Sequence, residues 1–162
     1  MSQPLQINIT IEVADSLEKL SLQDRELMLK AQEASATAYA PYSKFWVGTA
    51  LLLDNGQVMC GSNQENAAYP SGLCAERTAL FAKGAQFADL SIVAMAVTAR
   101  KQGATAYLPV SSCGACRQVM AEFEQRQNTP IRIIFPGPDG KFYICNSVAD
   151  LLPLQFNRKS LL

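Results

Sequence analysis

Cys113-Gly114-Ala115-Cys116 places two thiols three positions apart at the expected start of a helix. That spacing restricts the chain more than any other stretch. On a helix such a pair lies on one face, with Cβ atoms roughly 5–6 Å apart. Two sulfurs on one tetrahedral zinc, each about 2.3 Å from it, stand a little under ~4 Å from each other. The geometry matches, although CxxC alone is equally a redox motif or half of a zinc ribbon. A third thiol, in Leu73-Cys74-Ala75-Glu76-Arg77, narrows the choice. Three sulfurs leave one tetrahedral position open, and the neighbouring Glu76 carboxylate can handle protons there. The expectation is a catalytic zinc rather than a structural one.

The chain has 162 residues, with 14 basic and 14 acidic side chains and no histidine. That length suits one domain with a proper core. Without histidine, any transition-metal site must use thiolates and carboxylates, and no imidazole can act as general base. The balanced charge, with no basic block, gives no electrostatic support for nucleic-acid binding. No apolar run reaches membrane-spanning length, and Met1-Ser2-Gln3-Pro4 lacks a charged start and an apolar signal core. A soluble cytoplasmic protein, bound to neither membrane nor nucleic acid, is the expectation. Five cysteines, an odd number, fit reduced thiols and metal better than a disulfide framework.

Along the chain, Leu5 to Val13 alternates apolar and polar residues and predicts a half-buried strand. Ser21 with Asp24 resembles a capping box and opens a helix to about Ala38, before Pro41. Phe45 to Leu53 is strand-like, and Asp54-Asn55-Gly56 turns it into a return strand, Gln57 to Gly61. A helix from Leu73 or Cys74 to about Lys83 is expected to stop at Gly84. The apolar run Ile92 to Thr98 belongs in the sheet centre. A second core helix runs from Cys113 to about Gln127. Strands follow at Ile131 to Phe135 and Lys141 to Cys145, and a short helix near Val148 to Leu152. Cys60 and Cys145 fall in these strands without ligand spacing and read as small core residues. Strands alternating with helices predict a three-layer α/β domain with a mixed sheet.

Cys74 and Glu76 are about 200° apart on a regular helix and would point away from each other. They share a site only if Cys74 stands at the helix entrance, which Pro70-Ser71-Gly72 makes natural. All three thiols then sit at helix N-termini, where free N–H groups and the dipole favour thiolates. Zinc with three thiolates carries net negative charge and acidifies water less than a site of neutral ligands. Positive charge beside the sulfurs is therefore expected, from Arg77 first and Arg117 second.

Cys74-Ala75-Glu76-Arg77-Thr78-Ala79 and Cys113-Gly114-Ala115-Cys116-Arg117-Gln118-Val119 resemble the cytidine deaminases of the short, homotetrameric, three-cysteine kind. The resemblance runs from about Tyr39 to Phe156. Tyr39 to Phe45 and Asn63 to Tyr69 look like that family's nucleoside-binding segments. It implies a three-layer α/β/α fold with a mixed central sheet and one zinc per subunit, held by Cys74, Cys113 and Cys116. The implied activity is hydrolytic deamination of cytidine and deoxycytidine with release of ammonia. Glu76 would be the proton shuttle, and Asn63 and Glu65 would hold the ribose hydroxyls. Phe45, otherwise a default core residue, would stack on the base, and Tyr69 would bind substrate from the segment that carries Asn63 and Glu65. The backbone near Ala75 and Ser112 would position pyrimidine and water, and Phe156 would reach into a partner's pocket. Residues 16–162 would form one catalytic domain, and 1–15 an extra strand or arm. Ser112 departs from the family's usual proline; it can still cap the helix, so small consequences for zinc are expected.

Three other functions would use some of the same residues. A cytosine-bearing nucleoside antibiotic could replace cytidine, though Asn63-Gln64-Glu65-Asn66 argues for a plain ribose. A non-catalytic zinc module would need a fourth protein ligand, for which no histidine or paired cysteine exists. Polynucleotide editing lacks a basic, aromatic-rich channel.

Overall fold

The computed structural model describes residues 2–161, and apolar alternation builds its sheet. Six strands, β1 (Glu12–Ala14), β2 (Phe45–Leu53), β3 (Val58–Ser62), β4 (Ile92–Lys101), β5 (Arg132–Pro136) and β6 (Phe142–Cys145), lie in the order β1-β6-β5-β4-β2-β3. Only β4 and β5 pair in parallel; every other neighbour is antiparallel, so the sheet is mixed. The parallel pair needs a crossover, and the helix α3 (Gly114–Gln127) supplies it.

Successive strand residues point to opposite faces. Leu51, Leu53, Met95, Val97 and Ile133 face one way and bury against α2 (Ala75–Gln86) and α3 through Ala79, Leu80, Cys116 and Met120. Ala50, Leu52, Ala94, Ala96 and Ile134 face the other way and bury against α1 (Leu22–Ala34) through Leu27, Met28 and Ala31. Two separate apolar clusters on two faces make the three layers. The run Ile92 to Val97 is apolar, and β4 is buried on both faces from Ala94 to Ala99.

Several expected boundaries move, each for a local reason. The strand expected from Leu5 forms only at Glu12–Ala14, where β6 offers a partner. Leu5, Ile7, Ile9 and Ile11 stay exposed with no strand beside them. Ser21 accepts from the Asp24 amide at 3.1 Å and starts α1. The helix tightens into a 3-10 turn at Ser35–Thr37, where Ser35 and Thr37 hydroxyls donate to the carbonyls of Gln32 and Ala34. Gly84 does not end α2, which continues to Gln86, with Gly84 facing the Phe123 ring of α3. Cys145 is fully buried, but Cys60 is exposed, because β3 is an edge strand that the helices cover incompletely.

The topology also fixes where a site can form. β2 is antiparallel to both β3 and β4, so β3 and β4 run the same way. The segments that follow them lead to α2 and α3, whose N-termini therefore open at one end of the sheet.

Candidate metal centre

Cys74 is the N-cap of α2 and Cys113 the N-cap of α3, both with extended backbone (ψ 155° and 164°). Cys116 lies in the first turn of α3 and is buried. The three sulfurs lie within 4.8 Å of one another, and those of Cys113 and Cys116 are 3.5 Å apart. One tetrahedral ion fits that cluster. The extended N-cap answers the rotation problem: Cys74 has not yet entered the helix when Glu76 occupies its first turn. Neither cap cysteine makes a side-chain cap hydrogen bond. First-turn amides of two helices thus stay available to favour negative sulfur.

The Arg77 guanidinium supplies a cation, with Nη2 3.8 Å from Cys74 Sγ and 3.5 Å from the Gly72 carbonyl. Its Nε is buried and takes no partner among the described residues. The Cys116 thiol hydrogen-bonded to Cys74, with Arg77 acting in the same sense, holds Cys74 down to about 6. The same contact, with burial, pushes Cys116 up.

A pocket of about 790 Å³ opens beside the sulfurs, with Cys74, Cys113, Glu76 and Arg77 at its base. Glu76 is only 4 % exposed, so its carboxylate meets the pocket rather than bulk water. Phe45, Asn63, Glu65 and Tyr69 line the walls. Asn63 Oδ1 accepts from the Val47 amide and its Nδ2 donates to the Phe45 carbonyl, both at 2.9 Å, so the side chain prolongs the β2 ladder. Glu65 accepts from the Tyr42 and Ser43 amides at 2.9 and 3.3 Å, and Ser43 leads the contacts that hold its carboxyl below the usual range. Tyr69 stacks edge-on against Tyr42, centroids 5.8 Å apart.

Two residues expected to serve the substrate, Ala75 through its backbone and Phe156 in a partner's site, do not line this pocket. Ala75 is buried at the start of α2 and is not part of the pocket wall. Phe156 lies with Phe81 and Phe123 in a separate hollow of about 450 Å³ between α2 and α3, with 57 % of its surface exposed. Ser112 does not cap α3; Cys113 holds that position and the Ser112 carbonyl accepts from Arg117 Nε at 2.8 Å. Val110 and Ser111 line the pocket and were not singled out from the sequence. Their adjacency to the CxxC was the available signal.

Three thiols gathered at two helix starts, with a buried acid in the same pocket, define a zinc hydrolase site. A family model described as the cytidine and deoxycytidylate deaminase zinc-binding region matches residues 21–129. The cytidine deaminase of Sporosarcina psychrophila is 42% identical over 136 residues, 84% of this chain and 93% of that protein. That of Halalkalibacterium halodurans is 50% identical over 100 residues, 61% of this chain and 71% of its own. The crystal structure of cytidine deaminase from Burkholderia pseudomallei superposes with a TM-score of 0.69 at 38% identity, covering 85% of this chain and 100% of that one. The chain belongs to the cytidine and deoxycytidylate deaminase family. Its cofactor is zinc, one ion per chain, and the cluster of Cys74, Cys113 and Cys116 fits it.

Proposed function

We propose that this chain hydrolyses cytidine and deoxycytidine to uridine and deoxyuridine: water adds oxygen at C4 of the ring and the C4 amino group leaves as ammonia. The observation that carries this reading is the break at the start of α2, which lets Cys74 and Glu76 face one pocket. Cys74, Cys113 and Cys116 hold the zinc. When bound, that ion supplies a Lewis acid that makes water easier to deprotonate at neutral pH. Glu76 carries the first proton of the attacking water to the ring nitrogen. It then takes the second from the new C4 hydroxyl and passes it to the amino group, which leaves as ammonia with the carboxylate restored. Its enclosure keeps both protons from bulk solvent. Arg77 balances thiolate charge.

The pocket walls hold the nucleoside. Phe45 stacks on the base, and Asn63 and Glu65 bind the ribose hydroxyls, with Tyr69 closing the same wall. Asn63 and Glu65 are pre-oriented for this, since backbone contacts to β2 and to Tyr42-Ser43 already fix both side chains. The amide of Ala75 at the helix start helps place the pyrimidine and water. Phe156 lies away from its own pocket, which suits a role in a partner's site within a homotetramer. Residues 16–162 form the catalytic domain and 1–15 an arm. A site of reduced thiols suits the cytoplasm.

Glu76→Gln tests the mechanism. Loss of cytidine's ultraviolet band by the wild-type chain is expected to fall by at least about 10³-fold in the variant, the upper range for one positioned acid–base group. Zinc content should stay at one per chain. A variant that still turns over cytidine at a comparable rate removes Glu76 from the chemistry.

A further inference from the structure

Arg117 follows the ligand Cys116 by one residue but is not part of the pocket wall. Its guanidinium joins two other segments of the chain to α3. Nε donates to the Ser112 carbonyl at 2.8 Å, Nη2 to Ser111 Oγ at 2.7 Å, and Nη1 to the Leu151 carbonyl at 2.8 Å. Between Pro109 and Cys113, one backbone hydrogen bond anchors the loop, from the Val110 amide to the Pro136 carbonyl at 3.1 Å. Ser111 and Ser112 amides make none among the described residues. That thinly held loop carries Ser111 on the pocket wall and ends at Cys113, one of the three sulfurs.

The Leu151 end of the fork, by contrast, is firmly seated. A 3-10 turn at Val148–Asp150 is closed by a capping box on Ser147. Glu124 of α3 accepts from Ser147 Oγ at 2.7 Å and from the Val148 amide at 2.9 Å, and Val148 is fully buried. The guanidinium thus takes its bearing from a rigid post and passes it to a loose loop. Its planar fork sets donors on three nitrogens in fixed directions, whereas the three donors of an ammonium radiate from one atom.

We propose that Arg117 is a positioning residue of the deaminase site, holding the Ser111–Cys113 loop in register with Cys116 through the C-terminal turn at Leu151. Arg117 does not line the pocket, and its three hydrogen bonds go to oxygens of the chain rather than to a sulfur. The proposal rests on the zinc–cytidine reading above for its catalytic consequence, but its metal-binding consequence can be read independently.

The test compares Arg117→Lys, Arg117→Lys with Ser112→Pro, and Ser112→Pro alone, in the full chain. Zinc affinity is read by competition with a chromophoric chelator. Loss of groups that orient ligands costs roughly 10–100-fold in metal affinity or activity, and Arg117→Lys should weaken zinc by about that much. At saturating zinc, kcat should drop while KM changes less than about threefold, because the displaced loop reaches the sulfur and, of the pocket wall, only Val110 and Ser111, leaving Asn63 and Glu65 in place. Proline at 112 fixes φ and sacrifices no backbone bond, since the Ser112 amide makes none. It should therefore recover at least about fivefold of zinc affinity in the Arg117→Lys protein, and less than about twofold where Arg117 is present. Ser111→Ala removes one acceptor and, should Arg117→Lys not fold, gives the same reading on a smaller scale, about threefold. Unchanged zinc affinity in these variants overturns the proposal. So does equal benefit from Ser112→Pro with and without Arg117, which would mean general stabilisation. If zinc affinity behaves as stated but the wild-type chain leaves cytidine untouched, the cytidine reading fails and Arg117's role at the metal stands.

Discussion

Burial pushes the Cys145 thiol up to about 11 from an ordinary 9.0. Its neutral form is therefore favoured in the folded chain. The associated stability is complete below pH 9 and is lost as the pH rises toward 11, when the unfolded chain ionises first. Urea unfolding at pH 8 and pH 11 should show a steeper alkaline loss for the wild type than for Cys145→Ala. The gap should be about 2 kcal/mol, from two pKa steps discounted for relaxation. Identical pH slopes would mean that the thiol ionises freely in place. Cys145 and Cys60 look alike in the sequence, each a thiol in a strand. What separates them is how far a helix layer extends over the sheet, and strand alternation carries no information about that. The zinc cysteines were legible for the opposite reason: their spacing, with Glu76 and the breaker residues before Cys74, is local. Arg117's fork was not legible, since two of its three acceptors are backbone carbonyls and one lies 34 positions away.

Helix α2 reaches its place because Gly61 of β3 has no side chain. A Cβ at that glycine would stand 2.7 Å from the Ala79 amide nitrogen and 2.8 Å from the Ala75 carbonyl oxygen. Both belong to the backbone of α2, so the helix itself would have to move. Gly61→Ala should cost about 1–3 kcal/mol of stability, the usual range for overpacking. It should also weaken zinc binding, because Ala75 adjoins Cys74. Chemical denaturation and chelator competition measure both; a stable variant with normal zinc affinity would show that α2 can be displaced without disturbing the site. At this scale the type of each core element was legible from periodicity and turn residues. The helix ends were not. Gly84 looked like a stop signal, yet one glycine costs a helix only about 1 kcal/mol and α2 runs two residues past it.

Taken as a whole, the molecule joins two distant stretches of sequence at one end of a sheet. That β3 and β4 run in the same direction brings Cys74 to within ligand distance of Cys113 and Cys116. Pattern reading supplied the alternation of layers, but strand order depends on long-range pairing. The arm shows that dependence: Leu5 to Ile11 alternates like a strand, yet the single chain offers it no neighbour. Deleting residues 2–11 should change unfolding stability by less than about 1 kcal/mol, since few buried contacts are lost. A larger loss would reveal that the arm packs within an assembly. The central claim concerns three sulfurs and one open corner, and zinc-edge X-ray absorption on the purified protein tests it most directly. The account predicts three sulfur scatterers near ~2.3 Å and one light scatterer near ~2.0 Å, the latter exchangeable with added ligands. Four sulfurs, or fewer than three, would contradict it.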